Sequence, residues 1–197
     1  SIVNAFTGKL LITTNDTGAE TDGDVEIDGG TTNLIVGLST IDGDLVLLSG
    51  GTITDDGIAT VRGTLTATTD AGDSAITLNQ LAVTGAFTLA PDGTGAVTIV
   101  NAAGLNLAAS TMGGTFSGTA TTGNITQNGA LDIEGAITLV TTEQLATIDL
   151  LTNGSGNAFT SQLLITTNDN SSPYTANVSI DGGTTNLILG NSTIDGN

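Results

Sequence analysis

Six short segments decide how this chain reads: GDVEI at Gly23–Ile27, GDLVL at Gly43–Leu47, GTLTA at Gly63–Ala67, GAFTL at Gly85–Leu89, GLNLA at Gly104–Ala108 and GNITQ at Gly123–Gln127. Each is a glycine followed by apolar residues set among polar ones, the period-two signature of a half-buried strand. The six glycines are spaced by 20, 20, 22, 19 and 19 residues. Between them lie secondary apolar runs: NLIV at Asn33, TIT at Thr52, AITL at Ala75 and AVTI at Ala96. Each period therefore holds two or three short strands. Turn sequences separate them: DGG at Asp28, SGG at Ser49, DDG at Asp55 and PDGTG at Pro91. Beyond Gly123 the rhythm blurs into GALDI at Gly129, GAITL at Gly135 and an apolar run near Leu145, where no rungs can be assigned.

A period near 20 with such strands predicts an all-β fold, a parallel β-helix solenoid with one coil per period. Coils stack at about 4.8 Å, with Val, Ile and Leu forming inward ladders. Glycine and asparagine are expected to supply positive-φ corners. The rival is an antiparallel sandwich or a pair of them. It would need more large inward residues and would not explain the period.

A longer repeat encloses the short one. Asn4–Gly43 aligns without a gap to Asn157–Gly196, at a constant offset of 153. NAFTGKLLITTND matches NAFTSQLLITTND, and IDGGTTNLIVGLSTIDG matches IDGGTTNLILGNSTIDG; 27 of 40 positions are identical. Chance does not give this. The stretch that differs, Thr17–Asp24 against Asn170–Asn177, reads as a surface loop. Residues 4–156 are thus one complete unit and 157–197 the start of the next, continuous with the first. A unit should hold about eight coils and rise roughly 38 Å.

Composition excludes several classes. The chain of 197 residues carries 20 acids, two bases (Lys9 and Arg62), and neither His nor Cys, for a net charge of −18. No disulfide, thiolate site or His base can be built. Nothing neutralises phosphates, so nucleic acid is not an expected partner. No apolar run reaches the length of a transmembrane segment, and Ser1–Leu11 lacks the features of a signal peptide. Thr and Gly together make up a third of the residues, which disfavours helix and favours strand.

The phrases GNITQNGALDI, GAITL, GTLTATTDAG and GAFTLAPDG, within Val61–Val140, resemble the β-strand-rich repeats of filamentous-haemagglutinin-like giant bacterial surface proteins. The resemblance implies a right-handed β-helix in a secreted or surface-displayed protein, extracellular or at the cell surface, acting as stalk, adhesin or filament. The exact 153-residue repeat is longer than that family's usual coil repeat.

Acidic turns are the candidate chemistry. Asp22 and Asp24 stand one period before Asp42 and Asp44, and stacked carboxylates could hold Ca²⁺, the one cofactor considered. No twelve-residue calcium loop is present, and the second copy has Thr175 and Asn177 in place of Asp22 and Asp24. Solvated turn acids that maintain solubility are the plainer reading. Carboxylate pairs such as Asp55 with Asp56, or Asp132 with Glu134, could serve as acid and base, but exposed strand faces explain them equally. The expectation is a non-enzymatic protein. A regular threonine array of the ice-binding kind is not evident: Thr64–Thr68 is flanked by Asp44-Leu45-Val46 and Ala86-Phe87-Thr88.

Open coil ends expose unpaired backbone groups. Ser1-Ile2-Val3 reads as mid-strand, and no polar cap is visible at either end. The expected partners are therefore adjacent repeats of the same protein, or copies stacked end to end. The structural reading is a rigid stalk or filament. The alternative is an adhesive module that binds a glycan or protein through one face.

Overall fold

A computed structural model describes residues 4–16, 23–170 and 173–197. Ser1-Ile2-Val3 and Asp22 lie outside the described residues. Alternation of β-formers with glycine turns does what the sequence predicts. The described residues form 21 short strands and one turn of 3-10 helix, Gly154–Gly156. Each strand hydrogen-bonds in parallel to strands one coil away, which settles the choice between solenoid and sandwich.

Two sheets run the length of the solenoid. The first stacks Val25, Leu45, Leu65, Phe87 and Leu107 in register. It continues through Ile125, Ile148 and Val178 in the neighbouring column. The second stacks Leu34, Ile53, Ile76, Val97, Phe116, Ile137, Leu163 and Leu189. Inward residues of the two sheets form one continuous apolar column, with Leu34, Leu45, Ile53, Leu65, Ile76 and Phe87 all fully buried. Each such side chain contributes about 1.5–3 kcal/mol of burial. A column this narrow is filled by aliphatic residues and three buried phenylalanines, Phe87, Phe116 and Phe159.

The solenoid makes about 7 turns of ~21 residues. This is fewer than the eight expected from a 20-residue period. The coils widen toward the C-terminus: Val25 pairs with Leu45, but Ile125 pairs with Ile148 and Ile148 with Val178. The added residues leave the ladder at corners, among them the 3-10 turn and the left-handed Asn153 (φ 60°).

A third, short face changes its place along the axis. In the first coils it follows the second sheet: Ser39–Ile41 comes after Leu34–Val36, and Ala59–Val61 after Ile53–Asp55. The end of Ile76–Val83 completes it, with Leu81, Ala82 and Val83 beside Ala59, Thr60 and Val61. In the later coils the short strand precedes the second sheet: Ser110–Met112, Leu131–Ile133 and Ala158–Phe159 form a separate three-stranded sheet. This migration explains the blurred rhythm beyond Gly123. GALDI belongs to the third sheet and GAITL to the second, so the same signature marks two different faces. GLNLA is also out of phase. Leu105 and Leu107 point inward there, one residue nearer the glycine than Phe87 and Leu89 in GAFTL.

The glycines that mark the period do not serve as positive-φ corners, with the exception of Gly123 (φ 84°). Gly43 and Gly63 are there for space: a Cβ on either would collide with the carboxylate of Asp24 or Asp44 in the adjacent coil. The expectation of left-handed corners holds instead at turn residues such as Gly30, Gly72 and Gly183.

Candidate functional site

The turn carboxylates act as clasps between coils. The Oδ1 of Asp24 accepts the backbone N–H of Asp44 at 2.7 Å, and the Oδ1 of Asp44 accepts that of Thr64 at 2.6 Å. The same clasp recurs from Asn33 to Thr52 (2.9 Å), Asp73 to Thr94 (2.7 Å), Asn124 to Thr147 (2.8 Å) and Asn177 to Asn197 (2.9 Å). In every case but Asn124, the residue before the donated N–H is glycine: Gly43, Gly63, Gly51, Gly93 and Gly196. The side-chain oxygen occupies the room that glycine leaves, as a Cβ on Gly43, Gly51, Gly63 or Gly93 would strike it. The rule is therefore Asp or Asn in one coil under Gly-x in the next. Only an acceptor oxygen is needed, so aspartate and asparagine exchange between copies, as Asp24 and Asn177 do.

Asp42 lies apart from this ladder. It is nearly buried, pairs with the Arg62 guanidinium at 3.1 Å, and accepts the N–H of Asp16 at 3.0 Å through Oδ2. Asp24, Asp42 and Asp44 are thus held by backbone donors and a guanidinium. Asp22, outside the described residues, has no described place in the arrangement. Among the described residues no group of three His, Cys, Asp or Glu side chains is placed to hold a metal ion.

The carboxylate pairs considered for catalysis serve different neighbours. Asp56 pairs with Lys9 at 2.6 Å, whereas Asp55 Oδ2 accepts the Gln80 N–H at 2.7 Å. Asp132 and Glu134 are exposed on the outer side of the third sheet, along an open hollow with Pro91, Thr111 and Met112.

Three buried amides escaped the sequence reading. Asn101, fully buried, donates to the carbonyls of Val83 (2.9 Å) and Gly104 (2.7 Å) and accepts the Val83 N–H (2.9 Å). Gln127 and Asn157 form a buried pair: Gln127 Nε2 donates to Asn157 Oδ1 at 3.1 Å, and Asn157 Nδ2 donates to Gln127 Oε1 at 3.0 Å. Asn157 also accepts the Leu131 N–H and donates to the Asp181 carbonyl. The available signal was a polar residue at an inward position of an alternating run, as in VTIVN at Val97–Asn101 and ITQ at Ile125–Gln127.

The two copies of the long repeat repeat their contacts. Leu10 bridges to Val36 and Leu163 pairs with Leu189; Thr13 bridges to Thr40 and Thr166 to Thr193. The Phe6 N–H is accepted by Thr32 Oγ1, and that of Phe159 by Thr185 Oγ1. Ile12 and Ile165 donate likewise to Ser39 and Ser192. The second copy joins the first as the next coils of the same sheets: Asp149 pairs with Ser179, and Ile137 with Leu163.

A family model described as repeats of unknown function (DUF5649) matches residues 22–90 and 94–166. The chain belongs to that family. The first DUF5649 match runs from first-sheet strand Val25–Asp28 to first-sheet strand Ala86–Ala90, and the second from Val97–Asn101 into Gln162–Asn168. Each DUF5649 match spans several coils and is shorter than the 153-residue period. No curated protein and no solved structure matches the chain. No helix among the described residues is long and apolar enough to cross a membrane.

Proposed function

We propose that this chain is a non-enzymatic structural segment of a large secreted or cell-surface protein, forming a rigid stalk or extracellular filament. One observation carries the reading: both long sheets pass from the first copy of the repeat into the second without a break, and in the second sheet the register of Leu163 with Leu189 is that of Leu10 with Val36 in the first copy. A domain built this way adds length with each repeat and no new shape. Rigidity follows because each coil contacts only its neighbours, through backbone ladders, side-chain clasps and a common apolar column. The acidic surface disfavours lateral sticking of such rods. The resemblance to filamentous-haemagglutinin-like repeats supports the same setting.

Electron microscopy of the native full-length protein tests it. Rods with an axial repeat of about 4.8 Å are expected. Compact particles without axial order would overturn it.

One observation favours the adhesive alternative. The outer face of the second sheet aligns Thr54, Thr77, Thr98, Ser117 and Thr138 in five successive coils. A straight hydroxyl column of this kind suits a polymer with matching hydrogen-bond spacing. Binding of the chain to immobilised glycans, lost in a variant with Thr77, Thr98 and Thr138 changed to Glu, would support that role.

A further inference from the structure

Three large apolar side chains stand exposed at one corner of the first coils. Leu11, Leu38 and Ile58 are 72%, 69% and 53% exposed. Thr13 is bridged to Thr40, and Ser39 is paired with Ala59, so the three stand one above another in successive coils. They form a short ridge along the solenoid axis. The next coils carry a hollow on the same line. Ala59 pairs with Leu81, which places Gln80 above Ile58. Leu81, Val100, Ala102 and Thr121 line an open hollow of about 290 Å³, to which Ile58 and Gln80 also contribute.

We propose that ridge and hollow together are a lateral docking surface for a second copy of this chain, packed antiparallel about a two-fold axis at Gln80. A ridge and a hollow in line match the same surface turned end for end, which is the self-complementarity that a two-fold contact requires. Ile58 of each copy then enters the partner's hollow at Ala102, and Leu38 packs on the partner's Thr121. The inference concerns the outer surface and does not rest on the stalk reading.

Charge selects both the place and the direction. With 20 acids and two bases, two copies repel over most of their surface. Along the ridge that repulsion is cancelled. Lys9, just before Leu11, pairs with Asp56, just before Ile58. Arg62, a few residues after Ile58, pairs with Asp42, a few after Leu38. The residues that line the hollow carry no charge. Lys9 stays 51% exposed at one end of the strip, in the third coil before Gln80. Glu143 is exposed at the other end, in the third coil after it, where its carboxylate accepts the Gly123 N–H. Each lies about 14 Å from the axis at the usual coil spacing. The antiparallel pair therefore faces Lys9 with the partner's Glu143 at both ends. A parallel pair would set ridge against ridge and Lys9 against the partner's Lys9.

The test uses the full chain in about 0.15 M salt, which screens the net charge beyond about 8 Å. Analytical ultracentrifugation should show a monomer–dimer equilibrium. Leu38→Ser with Ile58→Ser should weaken it by about tenfold or more while leaving the melting temperature of the monomer unchanged, because both side chains are exposed. The chain has no cysteine, so an introduced thiol reports its own neighbour. Gln80→Cys, on the axis, should give a disulfide-linked dimer under mild oxidation. Leu38→Cys alone and the distant Asp132→Cys should not, whereas Leu38→Cys combined with Thr121→Cys should. A chain that stays monomeric up to about millimolar concentration overturns the inference. So does a dimer that the ridge variant leaves as tight as the parent, or cross-linking of Leu38→Cys or Asp132→Cys as fast as that of Gln80→Cys. End-to-end stacking would give larger species in the centrifuge with Gln80→Cys left unlinked, and overturns it too.

Discussion

The side-chain amide of Asn101 replaces a strand beside Val83. Its oxygen accepts the Val83 N–H and its nitrogen donates to the Val83 carbonyl, both at 2.9 Å. The short face formed by Ser39–Ile41, Ala59–Val61 and the end of Ile76–Val83 stops at this point, and one side chain satisfies the edge that the next strand would have paired. Asn101→Ala strips both bonds from a buried backbone. The expected cost is about 3 kcal/mol, read as a lower urea midpoint with unchanged slope.

Gly118 points into the core and makes room for Phe116. A Cβ there would lie 2.8 Å from Leu105 Cδ2 and 2.9 Å from Phe116 Cζ. Gly118→Val should overpack the column and cost about 1–3 kcal/mol. Calorimetry on the purified chain measures it, and a melting temperature equal to the parent's would contradict the packing described.

The clasp rule separates charge from hydrogen bonding at Asp44. Asp44→Asn keeps the acceptor that the Thr64 N–H uses and should shift stability by less than about 0.5 kcal/mol. Asp44→Ala loses it and should cost about 0.5–1 kcal/mol, since Thr64 is partly solvated. Equal destabilisation by both variants in urea titrations would show that the charge, and not the acceptor, matters.

Gln127 and Asn157 should be strongly coupled. Asn157→Ala leaves Gln127, the Leu131 N–H and the Asp181 carbonyl short of partners in a buried site. A double-mutant cycle with Gln127→Ala should return a coupling energy of about 1 kcal/mol or more. Additive single effects would mean that the pair does not act as a unit.

The ion pair between Lys9 and Asp56 should contribute little, although it is short. Both side chains are more than half exposed, at 51% and 62%, so solvent screens the attraction. The second copy places Gln162 where Lys9 stands. Lys9→Gln is expected to change stability by less than about 1 kcal/mol, at low and at high salt.

The parallel solenoid, the coil length near 20 and the 153-residue unit were legible because each leaves a period in the sequence. The path of the coil after Gly123 was not. Leu131 and Ile137 carry the same glycine-led alternation yet face the core from different sheets, and alternation encodes inside against outside without naming a face. The role of the marker glycines was not legible for a related reason. Left-handed backbone and steric clearance both select glycine, and only the position of Asp24 beside Gly43 distinguishes them.

The sequence by itself determined that this chain stacks short parallel strands around an aliphatic column and repeats the arrangement at a fixed offset. Hydrophobic periodicity and self-identity are local or linear properties, and they survive without coordinates. Tertiary structure alone decided which buried polar groups meet across coils: Asn101 with Val83, Gln127 with Asn157. Those contacts depend on how many residues each corner holds. The corners hold different numbers of residues without breaking the ladder, so the neighbour of a side chain cannot be counted off along the chain, while the pattern of apolar and polar residues along each strand stays the same.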